Sequence, residues 1–132
     1  MTVVVDASVV VAALVDGGTL GRWAESILTG HNLAAPHIMP VEVANILRRA
    51  ELAGDISMET ASLAHADLLE LSVNLFPYDP FGTRVWELRL NLTANDAWYV
   101  ALAEALEVNL ATLDSRLART RGPRCRFVLP DR

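Results

Sequence analysis

The run Thr2-Val3-Val4-Val5-Asp6-Ala7-Ser8 decides how the rest of the chain is read. Three successive β-branched valines without a polar interruption suit a central strand buried on both faces. A carboxylate follows at once, and at the end of a buried apolar strand it is costly unless something positive meets it. In an open α/β sheet the carboxyl end of a central strand is also where ligands bind. Asp6 is therefore either a helix cap or half of a metal site, and the remaining chain has to decide between them.

Outward from this strand, helical and extended patterns alternate. Val9–Val15 is apolar and ends at the turn Asp16-Gly17-Gly18, with Ser8 or Asp6 in place to cap a short helix. Thr19 sits where an N-cap would for a helix through Leu28, with Leu20, Trp23, Ala24, Ile27 and Leu28 on one stripe and Gly30 closing it. Asn32–Ala35 reads as a second strand ended by Pro36. Pro40 fits the first turn of a helix that carries Val43, Ile46, Leu47 and Ala50 inward and stops near Gly54. Ser57 is placed to cap a fourth helix running to about Leu71. Val73–Phe76 is a third strand, followed by a helix over Phe81–Leu90 with Val85, Trp86 and Leu90 on one side. Ala97–Leu106, rich in Ala and Leu, carries the strongest helical signal. Strands at Asn109–Thr112 and Arg126–Leu129 flank a short helix or turn at Ser115–Arg119. This alternation implies a parallel sheet covered by helices on both sides. No repeat or linker divides residues 1–132, so one domain is expected.

Composition narrows the functions. With 52% hydrophobic and 20% charged residues, a packed globular fold is expected. The net charge of −5 argues against non-specific nucleic-acid affinity of the whole surface. All eleven basic residues are Arg, and Arg116, Arg119, Arg121, Arg124, Arg126 and Arg132 lie in the last stretch. Without a Lys there is no P-loop and no Schiff-base chemistry. Cys125 is the sole cysteine, so no internal disulfide can form, which fits a reducing cytoplasm. Asp6 interrupts the apolar N-terminus and no basic residue precedes it, a poor signal peptide. No apolar run is long enough to span a bilayer, so no membrane partner is expected.

Four acids fall at element ends. Asp6 ends the first strand, Asp114 follows the fourth, and Glu42 and Asp96 lie in first turns of helices. Strand C-termini and the following helix N-termini share one edge of a parallel sheet. If the strands of Asp6 and Asp114 are neighbours, all four acids approach that edge. Each has a plainer reading. Thr93-Ala94-Asn95-Asp96 resembles a capping box, Glu42 suits the helix dipole, and Asp114 is placed to cap the helix at Ser115. Asp6 fits its plainer reading least, having no local basic partner. Crowded carboxylates raise each other's pKa values, and a divalent cation relieves that repulsion. Oxygen-only ligands point to Mg²⁺ or Mn²⁺ rather than zinc. The chemistry implied is phosphodiester hydrolysis. His31, His37 and His65 show no spacing suited to metal binding or to a catalytic triad.

At these residues the chain resembles a PIN-domain ribonuclease, and within that family the VapC toxins of bacterial type II toxin–antitoxin modules. The matching pieces are Val4-Val5-Asp6-Ala7-Ser8, Pro40-Val41-Glu42-Val43-Ala44-Asn45, Leu92-Thr93-Ala94-Asn95-Asp96-Ala97-Trp98-Tyr99-Val100-Ala101-Leu102-Ala103 and Leu110-Ala111-Thr112-Leu113-Asp114-Ser115-Arg116-Leu117. The resemblance implies a three-layer fold with about five parallel strands and the strand of Asp6 central. It implies an Mg²⁺- or Mn²⁺-dependent endoribonuclease, usually a homodimer, acting on RNA and neutralised by a cognate VapB-type antitoxin. Carried over by position, Asp6 and Asp96 are the leading metal ligands, with Glu42 and Asp114 completing the acidic site. Ser8, Asn45 and Thr112 are candidates for orienting those carboxylates.

Arg116, Arg119, Arg121 and Arg124 are candidates for RNA phosphate contact, against a solvated tail or a face for the antitoxin's acidic residues. Trp23, Trp86, Trp98 and Tyr99 fall at helical spacing in apolar stripes and read as core or interface residues. A receiver-like domain or a haloacid-dehalogenase-like phosphatase also puts acids at strand ends, but both use a Lys. The rival from another class is a non-catalytic PIN-like protein-binding module, which would not need the intact acidic set.

Overall fold

A computed structural model describes Met1–Asp131; Arg132, counted above among the C-terminal arginines, lies outside the described residues. The elements run β1 (Thr2–Val5), α1 (Ala7–Val15), α2 (Thr19–Gly30), β2 (Asn32–Pro36), α3 (Met39–Leu52), α4 (Met58–Glu70) and β3 (Val73–Phe76). After a 3₁₀ turn at Asp79–Phe81 come α5 (Gly82–Glu87), α6 (Ala94–Leu106), β4 (Leu110–Ala111), α7 (Ser115–Arg119) and β5 (Phe127–Val128).

The five strands form one sheet in the order β3-β2-β1-β4-β5, and every neighbouring pair is parallel. The valines of β1 are 0–2% exposed, as a strand covered on both faces requires. Each buried valine side chain contributes about 1.5–3 kcal/mol, enough together to carry one poorly solvated carboxylate at the strand end. From β1 the chain winds outward through β2 to β3, then returns across the sheet through α5 and α6 to β4. Right-handed crossovers place these two sets of helices on opposite faces. α1 packs against α2, α3 and α4, while α6 lies on β1, β2 and β4 with α5 against it. The strand order reverses between β1 and β4, and the crevice beyond strand ends at such a reversal is the general ligand site of open α/β sheets.

Local chemistry explains most boundaries. The Ser57 hydroxyl accepts from the Thr60 amide at 3.0 Å, and the Thr93 hydroxyl from the Asp96 amide at 3.2 Å, so both expected caps form. α3 ends into Gly54, whose φ of +79° is the left-handed conformation glycine adopts without strain. Thr19 is not a cap: it lies inside α2, whose N-cap is Gly18, and the Asp16 carboxylate takes the Gly18 amide at 2.6 Å. Gly21 is required there, because a Cβ would sit 1.7 Å from the Asp16 carbonyl oxygen.

The expected helix over Phe81–Leu90 is also corrected. α5 stops at Glu87, and the inward residues become Val85, Leu88 and Leu92. Trp86 and Leu90 are left 65% and 85% exposed, so neither belongs to the core; Arg89 covers the Trp86 ring at 4.4 Å instead. Trp23 and Trp98 pack partly against the core, and Tyr99 is fully within it.

Candidate active site

The β1–β4 register sets the site. Val4 faces Leu110 and Val5 faces Ala111, so the next residues, Asp6 and Thr112, stand side by side at the reversal point. Asp6 occupies the N-cap position of α1, yet its carboxylate makes no capping bond. It instead accepts the Thr112 hydroxyl at 2.7 Å. Thr112 is wholly buried, and its oxygen also accepts the Asp114 amide at 3.0 Å. The Ser8 hydroxyl accepts the Leu113 amide at 3.3 Å, tying the start of α1 to the same loop. Thr112 thus orients a carboxylate of the edge, whereas Ser8, expected to do the same, bonds the loop backbone instead. Asn45 is exposed and makes no side-chain hydrogen bond among the described residues.

Asp114 does what its plainer reading says: its Oδ1 accepts the Arg116 and Leu117 amides at 2.9 and 3.3 Å and caps α7. The cap does not remove it from the edge. With Asp96 it lines a groove of about 320 Å³ whose walls include Asn91, Leu92, Thr93 and Arg116. Asp6 and Glu42 are not in those walls. Glu42, in the first turn of α3, reaches across to α6, where its Oε1 accepts the Tyr99 hydroxyl at 2.6 Å and its Oε2 the Asn95 amide at 3.0 Å. Sequence reasoning missed both donors. Tyr99 stands three residues after Asp96, so one helical face carries both, but an aromatic in an apolar stripe reads as core.

Charge ties the four acids together. Burial first, then the charges of Asp6, Asp114 and Glu42, hold the Asp96 carboxyl above its ordinary value of 3.8, partly offset by the Thr93 hydroxyl. Asp6 is also raised, by burial above all and further by Glu42, against the lowering effects of Thr112 and nearby amides of α1. Burial and the bond to Glu42 push the Tyr99 hydroxyl far above its usual range, so it remains a proton donor. Within the edge the nearest cation is Arg116, whose Nε is 3.8 Å from Asp114 on a side chain 87% exposed, a position where solvent screens it.

Among the described residues no three His, Cys, Asp or Glu side chains already converge as a metal cage. A hard divalent ion does not need one, since it keeps several waters and takes one or two carboxylates. An oxygen-only edge with uncompensated carboxylates fits such an ion better than it fits a thiolate- or imidazole-seeking metal. Of the C-terminal arginines, Arg116 lines the groove, Arg121 meets its wall only through a backbone carbonyl that accepts the Asn91 side-chain amide, and the Arg124 backbone amide bonds Glu104 outside those walls.

With this geometry in place, likeness to known proteins becomes informative. The PIN domain family profile matches residues 3–123. Ribonuclease VapC1 of Mycobacterium tuberculosis is 43% identical over 127 residues, 96% of each chain. Ribonuclease VapC9 of the same organism is 37% identical over 123 residues, 93% of this chain and 94% of the other. Among solved structures, VapBC2 from Rickettsia felis bound to a promoter DNA fragment aligns with a TM-score of 0.70 at 15% identity, covering 99% of this chain and 100% of that one, a likeness of fold. Nucleases with PIN domains generally depend on divalent metals, which the acidic edge suits. The chain belongs to the PIN-domain family, in its VapC ribonuclease branch.

Proposed function

We propose that this protein is the toxin of a type II toxin–antitoxin module, an endoribonuclease using Mg²⁺ or Mn²⁺ held chiefly by Asp6 and Asp96. The observation carrying this reading is that Asp96, raised first by burial, also feels the charges of Asp6, Asp114 and Glu42 at one sheet edge, with no Lys in the chain and no buried Arg among the described residues to offset them. When bound, the ion supplies positive charge to the phosphoryl oxygens and acidifies a water.

The residues divide the remaining work. Asp6, whose carboxylate accepts the Thr112 hydroxyl, and Asp96, in the first turn of α6, would hold the ion. Glu42 orients water at the same edge, its direction set from α6. Asp114 shapes the groove while its Oδ1 secures α7. Arg116 meets a backbone phosphate beside the acids, which would otherwise repel RNA. A water oxygen joins phosphorus and gives up its proton by way of the carboxylates, the phosphorus–oxygen bond of the RNA breaks, and the departing sugar oxygen takes a proton from solvent and leaves as a hydroxyl.

The proposed partners are RNA, a cognate VapB-type antitoxin and a second copy of the chain, in the cytoplasm. The antitoxin reading is supported by structural likeness to toxin–antitoxin complexes, VapBC2 among them. No helix among the described residues is long and apolar enough to cross a membrane.

The test is cleavage of a structured RNA by purified protein with Mg²⁺ or Mn²⁺, beside Asp6→Asn and Asp96→Asn. Cleavage that needs the ion and disappears in both variants is the expected result. Wild type and variants behaving alike would instead favour a non-catalytic binding module.

A further inference from the structure

We propose that Tyr99 and Asn95 are positioning residues that hold the Glu42 carboxylate in one orientation at the acidic edge. The inference rests on reading that edge as a metal-dependent nuclease site. Three side chains from one stretch of α6 act on it together: Asp96 belongs to the edge, while Asn95 and Tyr99 reach Glu42 on α3.

The two donors take opposite oxygens of the carboxylate, Tyr99 at 2.6 Å on Oε1 and Asn95 at 3.0 Å on Oε2. That fixes the plane of the group as well as its position. Each carboxylate oxygen has two lone pairs, so one direction on each remains for water or an ion. Free in solvent, a glutamate samples many rotamers, and a group that must meet a reacting water is worth more when already placed. The Tyr99 ring is only 1% exposed and a phenylalanine would fill that volume equally. The hydroxyl is the part packing does not explain, and a buried hydroxyl is tolerated when it has a partner. Its partner is an acid at the candidate site. Because Asp96 rides on the same helix, the spacing between Glu42 and Asp96 is preset by α6 rather than left to the flexible reach of α3.

The experiment is a double-mutant cycle on the full-length protein with Tyr99→Phe, Glu42→Ala and the combination, adding Asn95→Ala as a second probe of the same contact. Mn²⁺ affinity is measured by calorimetric titration, kcat and KM on a structured RNA, and folding by thermal midpoint. Tyr99→Phe is expected to fold normally, bind Mn²⁺ more weakly and lose roughly 10- to 100-fold in kcat with KM for RNA nearly unchanged. In the Glu42→Ala background the Tyr99→Phe effect should vanish. Wild-type Mn²⁺ affinity and kcat in Tyr99→Phe would overturn the proposal, as would an effect that persists undiminished without Glu42. If even the wild type fails to cut RNA, the nuclease reading fails, and the Mn²⁺ cycle alone decides the positioning role. If Tyr99→Phe does not fold, Asn95→Ala, at an exposed position, decides by the same readouts.

Discussion

α6 treats its two ends in opposite ways. Near its C-terminal end, Glu104 is met by Arg84 through Nε at 2.7 Å and Nη2 at 3.2 Å, and it also accepts the Arg124 amide at 2.7 Å. Arg84 goes on to the Gly122 carbonyl at 2.9 Å, so one carboxylate staples the C-terminal segment to α5 and α6. Burial alone would raise Glu104, but Arg84 and Arg124 outweigh it and hold its carboxyl below the usual range. At the N-terminal end, Asp96 is also partly buried, yet its neighbours are three more acids and its carboxyl is held high. The helix dipole favours an acid there, though by no more than about 1 kcal/mol at a surface site. An acid with its counter-charge supplied by the chain is a fastening. One left without it waits for a charge from outside, which is how a functional site differs from a structural ion pair.

The contrast can be broken from either end. Asp96→Asn should abolish most RNA cleavage, on the order of 1,000-fold, equivalent to about 4 kcal/mol of barrier. The metal-free variant should melt no lower than wild type, because a repelled charge has gone. Loss of stability alongside activity would mean that Asp96 is a fastening after all. Glu104→Ala should do the reverse. It strands a partly buried Arg84 and frees the C-terminal segment, at about 3 kcal/mol, or roughly 10 °C in thermal midpoint. Residual activity per folded molecule should remain near normal.

Two gentler measurements sharpen the comparison. Mn²⁺ at about 100 times its Kd should stabilise the wild type by about 2.7 kcal/mol, and Asp6→Asn should lose most of that gain. The gain should shrink on acidification, since protons compete for the same oxygens. The smallest effect is the pH dependence of the metal-free protein. Asp6 and Asp96 are raised when folded above their ordinary 3.8, so the folded chain keeps protons that the unfolded chain releases. Stability should therefore fall as pH rises from 3.8 through those raised values. Glu104, held low, has the opposite sign: its contribution is present above its ordinary 4.5 and lost as pH falls towards its lowered value. Denaturant melts across this range should show a shallower decline in Asp6→Asn; an unchanged slope would mean Asp6 is not raised.

The sequence by itself determined the alternation of strands and helices, the central burial of Val3-Val4-Val5, the caps at Ser57 and Thr93, and the four acids at element ends. These signals are local. A cap reads three residues ahead, and an apolar stripe repeats every turn, so neither needs to know the rest of the fold. Only the tertiary structure decided which acids share an edge and what each one meets. Asp6 and Thr112 are separated by almost the whole chain and become neighbours because β4 inserts beside β1. Glu42 finds Tyr99 and Asn95 by reaching from α3 to α6, and Glu104 finds Arg84 through packing of α5 against α6, and no sequence spacing announces either meeting. The same limit explains Trp86: its place in a helical stripe was readable, but where α5 stops and which side faces the core depend on elements far along the chain.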